Sequence, residues 1–159
     1  MEGGVPATRG APISAEELAA RLERHEVTIV HLRSDLNAYL ASHLPGAVYL
    51  HYETLRAAQA GVPGDVLSAA GYAAIWGRIG IRQDRPAYAV QGITPDKQVI
   101  LYCNTGNEAS HAYFALRFLL EYPHVSVYVP SWTEWAERTE WAVDGPGAAA
   151  AGQEAGKTP

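Results

Sequence analysis

The chain holds a single cysteine, Cys103, in a setting that suits a nucleophile. Cys103 ends the apolar run Val99-Ile100-Leu101-Tyr102, and Asn104, Thr105, Gly106, Asn107 and Glu108 follow before a helical pattern begins. The order is strand, turn, helix. Gly106 can take a positive φ at little cost, so the backbone can curl with successive N–H groups aimed at the sulfur. The helix beyond adds the positive end of its dipole. A thiolate held in this way is stabilised, and its pKa is expected below the free value of about 8.5. The same cradle would stabilise a persulfide anion. A lone cysteine after an apolar strand is also a common small core residue, so spacing alone leaves both readings open.

Glu108 has two readings as well. Turned toward the sulfur, its carboxylate would oppose a dianionic ligand and raise the thiol pKa. Turned to solvent, it would complement the positive end of the helix.

One thiol forms no internal disulfide. None of the six histidines stands at metal-ligand spacing with a second ligand, so neither a zinc site nor any other metal site is expected. His43 reads as a structural hydrogen-bonding residue, and His111 as a solvated or capping one. With 12 Lys and Arg against 17 Asp and Glu, the formal charge of -5 argues against a nucleic-acid partner. No apolar run approaches the roughly 20 residues that cross a bilayer, and Met1-Glu2-Gly3-Gly4 lacks the order of a signal peptide. A cytoplasmic location is expected, with an exported form whose signal has been removed left open.

The elements that must position these residues alternate. The 159 residues, 48% of them hydrophobic, suffice for one domain with a core. Residues 1–11 and 144–159 read as flexible tails and 12–143 as the domain. Ser14 begins a helix, with Glu17 as capping-box partner and Ile13 and Leu18 as a hydrophobic staple. Val27 to Leu32, Ala47 to Leu50, Gln98 to Tyr102 and Val125 to Val129 read as strands. Tyr72 to Ile79 and Asn107 to Glu121 read as helices, the second with Ala112, Ala115, Leu116 and Leu119 on one face. Gly80 to Asp84 and Gly92 to Asp96 look like two copies of one connection, and the conformation of 85–91 is open. The pattern argues an α/β fold around a mainly parallel sheet. Ligands of such sheets gather at the carboxyl ends of the strands, where Cys103 lies.

Three separated motifs resemble the rhodanese family. Val99 to Gly106 is similar to its strand and Cys-x-x-Gly loop. His43-Leu44-Pro45-Gly46-Ala47 is similar to its His-Ile-Pro-Gly-Ala turn, with Tyr39 ahead of it. Val127-Tyr128 followed by Ser131-Trp132-Thr133-Glu134-Trp135 resembles the segment after the last strand of thiosulfate and mercaptopyruvate sulfurtransferase modules. The resemblance covers about residues 12–143 and implies a rhodanese-like α/β fold, with helices on both faces of the sheet. It also implies a sulfurtransferase of the thiosulfate sulfurtransferase type (EC 2.8.1).

In the cycle that the resemblance implies, Cys103 is the catalytic residue. It takes a sulfane sulfur from a small anionic donor such as thiosulfate and passes it, as a persulfide, to cyanide, a thiol or a protein acceptor. No metal or organic cofactor is required. Arg33 is expected to hold the anionic donor, a task for which a planar guanidinium is suited. Asn104, Thr105, Gly106, Asn107 and Glu108 are expected to line the substrate site, and Trp132 to wall it.

The chain departs from the family pattern at Asn104 and Glu108, where basic or loop-closing residues are common, and at His31, where Asp is usual. Val129-Pro130 replaces an Asp-Gly pair before Ser131, and the Ser131 to Glu134 run offers a capping box for a short helix. The alternative reading is a non-catalytic rhodanese-like module that binds a partner or senses redox state. A Cys-x5-Arg phosphatase loop is disfavoured, because position 109 is Ala.

Overall fold

The computed structural model describes residues 12–24, 27–59, 62–79, 81 and 98–146. Helix α1 (Ala15–Glu23) starts as its sequence demands: Ser14 accepts a 3.2 Å hydrogen bond from the Glu17 N–H, and Ile13 and Leu18 are buried. Strand β1 (Val27–Arg33) follows, and Asp35 then caps α2 (Leu36–Ala41) by accepting from the Asn37 and Ala38 N–H groups. Strand β2 (Val48–His51) runs into a 3₁₀ turn (Tyr52–Leu55) and a small antiparallel ribbon of β3 (Arg56–Gln59) and β4 (Val62–Val66). Helix α3 (Ala69–Arg78) begins three residues before the expected Tyr72, because Ser68 supplies the cap.

Strand β5 (Gln98–Tyr102), helix α4 (Asn107–Phe114), strand β6 (Val125–Val127) and helix α5 (Ser131–Trp135) complete the order. The helix expected to run from Asn107 to Glu121 is α-helical only to Phe114. It continues as one wider π turn, Ala115–Leu119, in which the Leu120 N–H reaches back to the Ala115 carbonyl.

The sheet has the order β2-β1-β5-β6, and every pairing in it is parallel. Period-2 alternation divides its side chains between two cores. Val30, Leu32, Val99 and Leu101 pack with Tyr72 and Trp76 of α3 and with Ala109 and Ala112 of α4. Ile29, Ile100 and Tyr102 pack on the other side with Leu18 of α1 and Trp135 of α5. Helices therefore cover both faces of a parallel sheet, the arrangement expected from the alternating strands and helices. Cys103 belongs to the α3/α4 side.

The upstream turn is tied to the sheet centre by a buried chain of hydrogen bonds. The Leu44 N–H donates to the Tyr102 hydroxyl at 3.0 Å, and that hydroxyl lies 2.8 Å from His31 Nδ1. The Tyr102 hydroxyl thus bridges the Leu44 backbone and the His31 ring. Burial, then the charges of Arg33 and His43, push the His31 pKa down to about 3, so the ring is neutral. His43 has the structural role expected of it: its ring stacks on Tyr39, and Nδ1 lies 2.7 Å from the Tyr39 carbonyl.

Pairing with the fold continues one residue past 143. Asp144 pairs through its backbone with His43, and its carboxylate accepts from the Gly46 N–H at 2.8 Å, so the chain stays part of the fold there. Residues 1–11 and 147–159, and the two look-alike connections apart from Ile81, lie outside the described residues. Among the described residues no helix is long and apolar enough to cross a membrane.

Replacing Tyr102 by Phe keeps the ring and removes the hydroxyl that serves both Leu44 and His31. Two buried polar groups then lose their partner, and Tyr102→Phe is expected to lower unfolding free energy by about 2–4 kcal/mol in urea denaturation.

Candidate active site

The loop between β5 and α4 is shaped by what lies on either side of it. Gly106 adopts φ +95° and caps α4. A Cβ at this position would meet the Val129 carbonyl oxygen at 2.5 Å, so a side chain is excluded by contact as well as by backbone conformation. On the other side stands the start of α5, whose first N–H groups have no partner within their own helix. They find one in the loop: the Trp132 N–H donates to the Cys103 carbonyl at 3.1 Å and the Thr133 N–H to the Asn104 carbonyl at 3.2 Å, with the Thr133 hydroxyl on the same carbonyl at 2.8 Å. With these carbonyls drawn toward α5, the loop's N–H groups are left to turn toward the sulfur.

Cys103 Sγ receives the Gly106 N–H at 2.9 Å, and the Thr105 and Ala109 N–H groups also act on it. The cradle expected from the Cys-x-x-Gly spacing is present. Its effect on the thiol is not the expected one. The Cys103 pKa is raised from the ordinary thiol value, first by burial, then by the Glu108 carboxyl through hydrogen bonding and charge, and the N–H groups offset only part of this. Cys103 is fully buried, and the groups acting most strongly on its thiol include no cation.

The upward push of the Glu108 carboxyl on the thiol is the effect expected of the first of its two readings. Glu108 is half-buried, and its Oε2 is buried with no hydrogen-bond partner among the described residues. Asn104, Thr105 and Asn107 are exposed on the loop and Gly106 is buried within it. Arg33 is not brought to the thiol. Strand alternation continues it onto the face of His31 and Tyr102, where its charge acts on both, whereas Cys103 faces the opposite core. The Trp132 ring packs against the α1 side as well, so that residue meets Cys103 through its backbone. An open groove of about 320 Å³ lies on that side too, lined by Leu22, Pro45, Trp135 and Trp141 among others, away from Cys103.

Two features were missed by sequence reasoning. Ser131 was read as a helix cap, yet it is fully buried at φ +58° and leaves α5 without a side-chain cap. Its hydroxyl instead accepts from the Cys103 N–H at 3.2 Å and donates to the Tyr128 carbonyl at 2.8 Å, with Sγ 4.0 Å away. Glu134, the would-be capping partner, accepts from the Tyr128 hydroxyl at 2.7 Å. The second feature is His111, which is neither solvated nor a cap. It lies between two phenols, with Nδ1 3.2 Å from the Tyr52 hydroxyl and Nε2 3.1 Å from that of Tyr72. Burial, then the Arg56 guanidinium, lower its pKa and favour the neutral ring. The spacing of Glu108 and His111, three apart on one helix, was the available signal that they share a face.

A family model described as "Rhodanese-like domain" matches residues 14–138. Over 51 residues, 32% of the chain, it is 49% identical to "Sulfur carrier protein TtuD" of Thermus thermophilus, of which the match covers 18%. Over 53 residues, 33% of the chain, it is 40% identical to "Thiosulfate sulfurtransferase" of Pseudomonas aeruginosa, of which the match covers 19%. The chain thus spans under a fifth of the length of these relatives. Among solved structures, wild-type EanB aligns with 85% of the chain and 31% of its own length, at TM-score 0.64 and 24% identity, a likeness of fold.

Two of the positive-φ glycines, Gly46 and Gly106, provide a test of the loop. Gly46→Ala places its Cβ in open space and is expected to cost only the left-handed backbone, about 1–2 kcal/mol. Gly106→Ala adds the clash with Val129 and is expected to cost about 3 kcal/mol or more by urea denaturation, with loss of the Sγ contact.

Proposed function

The chain belongs to the rhodanese-like domain family, and from that premise we propose that it is a sulfurtransferase working through a persulfide on Cys103. The observation that carries the proposal is the Gly106 N–H donated to Sγ at 2.9 Å, which the Thr105 and Ala109 N–H groups support by favouring the thiolate. Backbone N–H groups so aimed favour an anion, a thiolate or a persulfide alike. In the first half of the cycle Sγ attacks the transferable sulfur of a donor, and the bond from that sulfur to the rest of the donor breaks, S–S in thiosulfate or a polysulfide and C–S in mercaptopyruvate. In the second, an acceptor nucleophile attacks the outer sulfur of the persulfide and Cys103 leaves as thiolate. Electrons and sulfur balance within each half, and the chemistry calls for no metal or organic cofactor.

Within this cycle the loop residues Asn104, Thr105, Gly106, Asn107 and Glu108 form the substrate site. Arg33 and Trp132 take a lesser part, since one faces the other core and the other meets the loop through its backbone. The partners are a small sulfur donor and a thiol or protein acceptor, and the type is that of the thiosulfate sulfurtransferases. Similarity to a thiosulfate sulfurtransferase and to a sulfur carrier protein supports the class of chemistry.

The full burial of Cys103 favours a second reading, a module that binds a partner and does no chemistry. One experiment separates the two. Incubated with thiosulfate, mercaptopyruvate or a polysulfide and weighed intact, the wild-type chain is expected to gain one sulfur atom from at least one donor. Cys103→Ser is expected to gain none. A wild type that gains no sulfur from any of the three excludes the enzyme and leaves the binding module.

A further inference from the structure

We infer that the groove between α1 and the segment following α5 is a second binding site, one that takes a small apolar ammonium ion. It lies on the side of the sheet opposite Cys103, and its volume of about 320 Å³ falls within the roughly 300–1,000 Å³ of small-molecule sites. Three stretches of chain supply its apolar walls: Leu22 in α1, Pro45 in the turn before β2, and Trp135 with Trp141 at and beyond the end of α5. The charged residues of the lining are Glu23 and Glu140, and no Lys or Arg is among them.

The walls are fixed by bonds within the protein, so little ordering is left for a ligand to impose. Trp135 is buried, and its Nε1–H donates at 3.2 Å to the carbonyl of Ala142, itself a lining residue. The Trp141 ring lies 4.5 Å from that of Trp135 between centres, with the planes 44° apart, so the two indoles do not close flat on one another. Pro45 is held through its neighbours, the Leu44 N–H on the Tyr102 hydroxyl and the Gly46 N–H on the Asp144 carboxylate. The charge of the groove is equally defined. Arg21 is paired with Glu17, and Arg138 with Glu16 at 3.2 Å and Glu134 at 3.7 Å. Glu23 and Glu140 are exposed and have no ion pair among the described residues.

Apolar walls edged by two unmatched carboxylates select a cation with an apolar body. An aryl or alkyl group leaves water for the space beside Leu22, Pro45 and the indoles, and a primary ammonium brings three N–H donors for the carboxylates. The guanidinium of Arg138, 4.8 Å from the centre of the Trp141 ring, shows that this indole already attracts a cation. An anion is repelled by the same carboxylates, so the groove does not serve the anionic sulfur donors proposed for Cys103. The two sites are separate in place and in charge preference, and the groove stands or falls independently of the sulfurtransferase reading.

The test follows the four tryptophan indole N–H signals of the full chain by proton–nitrogen NMR at low ionic strength, as phenethylammonium, phenethyl alcohol or hydrocinnamate is added. The ammonium is expected to shift the Trp135 and Trp141 signals saturably and to bind about tenfold or more tightly than the alcohol, while the hydrocinnamate anion shifts neither. In the double variant Glu23→Gln with Glu140→Gln, the ammonium is expected to fall to the affinity of the alcohol. The alcohol is expected to bind that variant as it binds wild type, which shows that the groove keeps its shape. Equal affinity for ammonium and alcohol in wild type, an unchanged ammonium affinity in the double variant, or no saturable shift of either signal would overturn the assignment. So would Trp135 and Trp141 signals that move, before any ligand is added, with protein concentration or in Arg9→Gln or Lys157→Gln. The groove would then belong to a second copy or to one of the chain's own ends, whose cations these are.

Discussion

The contact between the Gly106 N–H and Cys103 Sγ, 2.9 Å long, is the constraint on which the rest of the site depends. It exists only because Gly106 turns left-handed beneath the Val129 carbonyl, in a space that admits no Cβ. Everything outside the loop serves to keep it there. β5 delivers Cys103 between β1 and β6, at the carboxyl end of a parallel sheet. The first N–H groups of α5 take the carbonyls of Cys103 and Asn104, and the Ser131 hydroxyl takes the Cys103 N–H. Ser131 holds φ +58°, which costs a non-glycine residue on the order of 1–2 kcal/mol, and the hydrogen bonds of its hydroxyl help to offset that cost.

Opposing influences meet at the sulfur. The N–H ring favours a negative charge there, whereas burial and the Glu108 carboxyl favour the neutral thiol, and the second pair prevails. The site is therefore poised differently from one that relies on a basic loop. A basic loop keeps a standing thiolate and attracts anions. Here burial and a carboxyl raise the thiol pKa, and the Gly106 N–H favours charge that develops on the sulfur.

What the sequence disclosed and what it withheld differ in range. The Cys103 loop was legible because a strand, a short turn with Gly106 and a helix are contiguous in the chain. The capped start of α1 at Ser14 was legible for the same reason, and Tyr102 was placed in a buried strand by its apolar neighbours. Contacts between distant segments were not legible. The Ser131 to Glu134 spacing matches a capping box, but the hydroxyl is drawn to Cys103 and the carboxylate to Tyr128, neither of which local spacing can reveal. Arg33 follows the first strand as the family resemblance expects, yet two-residue periodicity counted through β1 turns it to the far face. The place of His111 between the Tyr52 and Tyr72 hydroxyls was hidden for the same reason, since both phenols come from other segments. The role of Asp144 was hidden because its partners, His43 and Gly46, lie about a hundred residues upstream.

The central claim is that Cys103 is held as a thiol by burial and Glu108 within a cradle that can accept its charge. Thiolate absorbance in the ultraviolet, read against pH with Cys103→Ser as the blank, tests it directly, because Cys103 is the only cysteine and tyrosine ionisation cancels in the difference. The account predicts a midpoint above the free-thiol value of about 8.5 in wild type and a lower midpoint in Glu108→Gln. A wild-type midpoint at or below neutral pH, unmoved by Glu108→Gln, would contradict it.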